Sequence, residues 1–188
     1  MLTPPKDEVD FHMERGEGFT LVELLIATLV ASMLIAIAAP TANAFFSKAH
    51  MKRAYLTLTD SFLLSNRVSV SSGANVVMCP IGTNNQCVDS TDWSKGWLVF
   101  VDRDDDRDYG PDDSLMQQYP VVGGDVRLRS TDGRRRIVFQ PDGDNAGTNL
   151  TFTLCSKHTA ATTISLSNLS KARVGLPTPA SEQDCLRD

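Results

Sequence analysis

From Leu24 to Ala39 the chain carries no charged residue and reads LLIATLVASMLIAIAA. Beyond Pro40 the pattern changes to a helical alternation. Apolar positions recur at Phe45, Phe46, Ala49, Leu56, Leu63 and Val70, with Tyr55, Leu58 and Phe62 widening the stripe. Lys48, Lys52, Arg53, Asp60 and Arg67 punctuate the other side, which is the signature of an amphipathic helix. Ser71-Ser72-Gly73 predicts its end, because glycine takes the left-handed cap conformation without strain. Together the two stretches predict one helix of about fifty residues, far beyond the usual globular length of up to about 20, which points to anchoring or assembly. From Ala74 onward short β-rich runs follow at 75–79, 96–101, 115–122, 126–128, 136–140, 150–155 and 163–166, separated by Gly, Asp, Asn and Pro. The expected class is α+β, a long N-terminal helix against an antiparallel sheet.

Composition refines this picture. The 188 residues suffice for one domain and an anchor, and 41% hydrophobic content is ordinary. The net charge is −5; Lys6 and Arg15 against Asp7, Glu8, Asp10, Glu14 and Glu17 put −3 of it in the first eighteen residues, leaving −2 on the rest. Net charge therefore gives no general attraction to polyanions. Cys79, Cys87, Cys155 and Cys185 allow three pairings. The sequence-local choice joins Cys79 to Cys87 and Cys155 to Cys185, in an oxidising compartment. No CxxC occurs and His12, His50 and His158 are scattered, so no zinc site is expected.

The N-terminal order is unusual. A secretory signal places its small cleavage-site residue after the apolar run, whereas Gly18 precedes it, followed by Phe19-Thr20-Leu21-Val22-Glu23. Cleavage at Gly18 would remove a polar leader and keep the apolar helix. At ~1.5 Å per residue the stretch 19–39 spans about 31 Å, enough for a ~30 Å hydrocarbon core. Glu23 is costly within such a helix and calls for a partner: either it snorkels to the interface, or it pairs with the amino group of Phe19 on an adjacent subunit.

These residues resemble the prepilin signal of type IV pilins and type II secretion pseudopilins. The resemblance implies cleavage after Gly18 and methylation of Phe19 by a prepilin peptidase, an assembly role for Glu23, and a helix kink at Pro40. Met13 would open a six-residue leader of the length usual in that family. The implied layout is a leader at 1–18, a membrane and filament-core helix at 19–40, an amphipathic helix at 41–73 and a β-rich head at 74–188. Gly96-Trp97-Leu98-Val99-Phe100-Val101-Asp102, Ile137-Val138-Phe139-Gln140-Pro141-Asp142-Gly143 and Asn149-Leu150-Thr151-Phe152-Thr153-Leu154-Cys155 are similar to the head of the GspH/FimT group. That group implies a minor pilin or pseudopilin, anchored in the bacterial inner membrane with its head in the periplasm and then built into a filament with other pilins.

Two polar clusters remain. Asp102, Asp104, Asp106, Asp108 and Asp113 fall at positions 1, 3, 5, 7 and 12 of a calcium-loop spacing. Arg107 holds position 6, where the sharp turn wants glycine, and no helix pattern flanks the loop. A solvated hairpin is the favoured reading, with no metal or cofactor assigned. Arg127, Arg129, Arg134, Arg135 and Arg136 are expected to gather on one sheet edge. Some FimT-like members bind DNA through a Gly-Arg-x-Arg segment, which Ser170-Lys171-Ala172-Arg173 resembles with serine for glycine and lysine for the first arginine. DNA display through Lys171 and Arg173 is thus the alternative to a purely structural role. No catalytic constellation is found.

Overall fold

The computed structural model describes residues 18–186, apart from the side chains at 37–41, 184 and 186. Residues 1–17, which make up the expected leader 1–18 apart from Gly18 and include Met13, and the side chain of Pro40 lie outside the described residues. The chain divides at Pro40 into two compact units.

Helix α1 runs Leu21–Ser72. Its start is a side-chain cap: Thr20 Oγ1 accepts the Glu23 backbone N–H at 3.2 Å, satisfying one of the four amides that a helix start leaves without a partner. Its end is Gly73, at φ 67, whose N–H reaches the Ser69 carbonyl at 3.0 Å. Within the first unit, Thr28 and Ser32 donate their hydroxyls to the carbonyls of Leu25 and Leu29. Both polar groups are thereby satisfied inside the helix, as an apolar environment requires. Among the described residues, no helix is long and apolar enough to cross a membrane; the expected span 19–39 ends within the side chains at 37–41 that lie outside them.

In the second unit, eight strands form two antiparallel sheets. The first has the order β3 (Ser114–Tyr119), β2 (Trp97–Val101), β1 (Val76–Pro80), β5 (Ile137–Phe139); the second has β4 (Arg127–Ser130), β6 (Leu150–Ser156), β7 (Thr159–Leu166), β8 (Ala172–Gly175). A short helix α2 (Pro179–Leu186) follows. This is the expected α+β class. The polar strand β8, the first half of β7 and helix α2 were not legible in the sequence.

Strands β1 and β2 are buried on both faces, and the period-2 rule sorts their side chains. Val76, Met78, Trp97, Val99 and Val101 join the main core with α1 and the second sheet. Val77, Cys79, Leu98 and Phe100 form a second cluster with Val138, Cys87 and Tyr109. The loop after β1 and the loop after β2 thus cover the outer face of the sheet. Phe62 of α1 bridges the two sheets, with its ring 6.4 Å from Phe139 and 5.8 Å from Phe152. Gly96, at φ 105, directly precedes β2 where an added Cβ would lie 2.4 Å from the Tyr119 carbonyl oxygen, so only glycine fits.

The disulfides are Cys79–Cys87, which closes the loop after β1, and Cys155–Cys185, which ties α2 to β6, with Cα separations of 5.5 and 6.2 Å.

Candidate functional site

The start of α1 places the residues expected to be processed and to act in assembly. Gly18 and Phe19 are exposed ahead of the helix. Glu23 stands in the first turn, where its negative charge complements the helix dipole. Thr20-Leu21-Val22-Glu23 has the spacing of a capping box, in which a threonine caps the helix and a glutamate sits three residues on. The Thr-x-x-Glu spacing marks Thr20 as the helix cap in the sequence itself.

On the head portion of α1 the expected stripe proves to face outward. Phe45 is 68% exposed and Leu63 61%, and Phe46, Leu56 and Val70 are likewise exposed, with Ala49. The face turned to the core instead carries Ser47, Met51, Ala54, Leu58, Ser61, Phe62, Ser65 and Ser69. The physical reason is size. Ser61 and Ser65 return their hydroxyls to the carbonyls of Leu58 and Ser61, so they are buried without unpaired donors and without bulk. Ser69 also donates to the Gln140 carbonyl at 3.1 Å. Of the residues taken to widen the stripe, Leu58 and Phe62 are core and Tyr55 packs partly against it. At 100° per residue, Leu56 and Leu63 lie nearly opposite Ser61 and Ser65. The helix therefore has two distinct faces, one against its own head and an apolar one that the head leaves uncovered.

The acidic loop between β2 and β3 is held by its own carboxylates. Asp113 accepts the N–H groups of Arg103 and Gly110 at 3.0 and 2.8 Å. Asp105 accepts from Asn75 Nδ2 at 2.7 Å, and Tyr109 packs on Phe100 with ring centroids 5.4 Å apart. Asp102 is only 3% exposed. Burial pushes its carboxyl above the usual range, opposed by the Arg107 N–H and reinforced by the charges of Asp113, Asp105 and Asp104. Among the described residues, Asp102, Asp104 and Asp106 bring one carboxylate oxygen each to within 4.8 Å of one another. Asp108 and Asp113, the other two of the sequence spacing, are engaged elsewhere: Asp108 meets Arg136 at 3.3 Å.

The arginines do not form one basic edge. Arg127 and Arg129 belong to β4 in the second sheet, whereas Arg134, Arg135 and Arg136 directly precede β5 in the first. Arg134 is half-buried and donates to the Thr148 and Ala146 carbonyls and to Asn145. Arg135 pairs with Asp89 at 2.5 Å, and Arg136 with Asp89 and Asp108. These last three arginines line a groove of about 940 Å³ shared with Asp89, Asp106 and Asp108, which offset their charge. Lys171 and Arg173 are exposed at and on the edge strand β8. Ser170, which stands where the DNA-binding pattern has glycine, adopts φ 56.

A long helix against antiparallel sheets, preceded by Gly-Phe and a first-turn glutamate, defines a pilin-type subunit. The sequence matches the prokaryotic N-terminal methylation motif over residues 15–39 and the type II transport protein GspH over residues 57–170. The chain belongs to the GspH family. No curated protein matches it in sequence. Among solved structures it is similar to the type IV minor pilin FimU of Pseudomonas aeruginosa, with a TM-score of 0.55 at 16% identity over 73% of this chain and 95% of that one. It is also similar to the minor pseudopilin EpsH of the Vibrio cholerae type II secretion system, with a TM-score of 0.50 at 11% identity over 70% and 96%. At such identities the likeness establishes the fold. Family and fold are those of structural subunits rather than enzymes, and the methylation motif marks a membrane-anchored pilus-type protein. Neither the family match nor the geometry singles out nucleic acid as a partner.

Proposed function

We propose that this protein is a minor subunit of a type IV pilus or type II secretion pseudopilus, cleaved between Gly18 and Phe19 by a prepilin peptidase. The observation that carries this reading is the methylation motif at 15–39 joined to a GspH head at 57–170. Residues 19–39 hold the processed chain in the inner membrane with the head in the periplasm, until α1 enters the filament. Cleavage leaves a positive amine on Phe19, just ahead of the positive end of the helix dipole. The Glu23 carboxylate of a neighbouring subunit neutralises that amine within an apolar filament interior, which fixes the axial stagger. The outward apolar face of α1, from Phe45 to Val70, supplies a second contact with neighbouring pilin helices.

The test is expression beside a cognate prepilin peptidase, with mass spectrometry of the mature N-terminus. An N-methylated chain beginning at Phe19 is expected. Glu23→Ala should leave processing intact and remove the subunit from purified filaments. A mature chain that keeps residues 1–17, or an E23A variant recovered in filaments at the wild-type level, would overturn the reading.

A further inference from the structure

We propose that the loop between β2 and β3 is a calcium site whose protein ligands are the carboxylates of Asp102, Asp104 and Asp106. Three observations converge. First, one oxygen from each of the three lies within 4.8 Å of the others. Ligands that each stand 2.3–2.6 Å from one calcium ion cannot be more than about 5 Å apart, so the three already satisfy the distance limit for a shared ion. Second, Asp102 is buried and its Oδ1 has no hydrogen-bond partner, while its Oδ2 accepts the Arg107 N–H at 3.2 Å. A buried carboxylate oxygen without a donor is costly, and a cation bound among the three carboxylates supplies what that oxygen lacks. Third, the sequence objection to a calcium loop was arginine at its sixth position. Arg107 adopts φ 64 there, the left-handed conformation for which glycine is favoured at that point. The chain makes the turn without glycine.

The set differs from the spacing read in the sequence. Asp113 closes the base of the loop through backbone N–H groups and Asp108 is paired with Arg136, and neither brings a carboxylate oxygen into the converging group of three. Three carboxylates, completed by water or backbone oxygen, form a hard all-oxygen set that suits calcium. Magnesium demands a stricter octahedron and sheds its water reluctantly. The ion also offsets crowding, since Asp102, Asp104, Asp105 and Asp106 lie within five residues with Arg103 as the one cation among them. Bound calcium would stiffen the junction with the segment after α1, because Asn75 accepts the Asp102 N–H at 3.0 Å and donates to Asp105. The proposal does not depend on how the subunit assembles.

The experiment uses the full chain in detergent micelles, stripped with EDTA and titrated with calcium chloride by calorimetry. One ion per chain is expected, with a Kd of about 10⁻⁴–10⁻³ M as in extracellular modules. Calcium should raise Tm and slow tryptic cleavage after Arg103 and Arg107, both exposed in the loop. Asp104→Asn and Asp106→Asn, at exposed positions that leave the core intact, should each weaken binding by about tenfold or more. Asp112→Asn, exposed and outside the three ligands, should not change it. The proposal fails if no saturable binding occurs up to ~10 mM calcium, if D104N and D106N bind like the wild type, or if magnesium binds as tightly.

Discussion

Ser47 of α1 donates its hydroxyl to Asp125 Oδ1 at 2.8 Å, while Ser156 of β6 donates to Oδ2 of the same carboxylate at 2.6 Å. One side chain between β3 and β4 therefore ties the helix to the second sheet, and the Lys157 N–H adds a third bond at 3.1 Å. Partial burial alone would push the Asp125 carboxyl up. The bonds from Ser156, Ser47 and Lys157 together outweigh it and bring the carboxyl down to about 2.

That depression has a sign. The folded head favours the ionised form, so the stabilisation is complete above the unfolded value near 3.9 and is lost as pH falls through about 2. Asp125 is partly solvent-exposed, so the contribution is on the order of 1 kcal/mol after screening. Asp125→Asn should cost about that much at pH 7, with the gap to wild type closing between about pH 5 and 2. Urea melts across that range check it; a gap unchanged at acid pH would refute the assignment.

The outward face of α1 separates folding from assembly. Leu56 and Leu63 are exposed, and glutamine has nearly the helix propensity of leucine. A Leu56→Gln, Leu63→Gln double variant should change head stability by no more than about 0.5 kcal/mol. If these side chains are buried between subunits, each is worth about 1.5–3 kcal/mol there, so incorporation into filaments should drop by tenfold or more. Thermal melting and immunoblots of sheared filaments give the two readings. A variant that melts early but assembles normally would place the stripe in the core instead.

The outward face also shows why only part of the fold was legible beforehand. β2 was readable because Trp97-Leu98-Val99-Phe100-Val101 is buried on both faces and needs no periodicity. The end of α1 was readable because Gly73 punctuates it. The core face of α1 was not, since hydrophobicity marks a face as apolar without saying what covers it, and serine reads as surface. Ser61, Ser65 and Ser69 are buried because their hydroxyls fold back on the helix and let the sheets approach. β8 and α2 are polar and mostly exposed, held by pairing to β7 and by a disulfide, which are tertiary facts. In the acidic loop, spacing pointed to five carboxylates, but only folding sorts the three that converge from the two that lie apart from them.

Ser170 adopts a left-handed backbone at φ 56, and its buried Oγ has no hydrogen-bond partner. A residue with a Cβ costs about 1–2 kcal/mol in that conformation, while glycine gives back about 0.4–1 kcal/mol through the freer unfolded chain. Removing an unpaired buried hydroxyl favours the change further. Ser170→Gly should therefore stabilise the head by about 1 kcal/mol, raising Tm by roughly 2–4 °C. A lower Tm would show that the hydroxyl is satisfied in solution.

The Cys155–Cys185 bridge links positions 30 residues apart. In the chain-entropy model such a loop stabilises by about 3–4 kcal/mol. Helix α2 makes its contacts with β6 and β4, and its cysteine is buried with Cys155 and Ala161 in a small cluster apart from the main core. Cys185→Ser should thus release α2 while the two sheets and α1 stay folded. Hydrogen exchange should rise at 179–186 and at the β4 and β6 amides beneath, with little change in β1 and β2. Cys87→Ser acts on the other side, freeing the loop that covers Val77 and Phe100. If both variants raised exchange over the same residues, the head would be one cooperative unit, and the separate satellite role argued for Cys185 would be wrong.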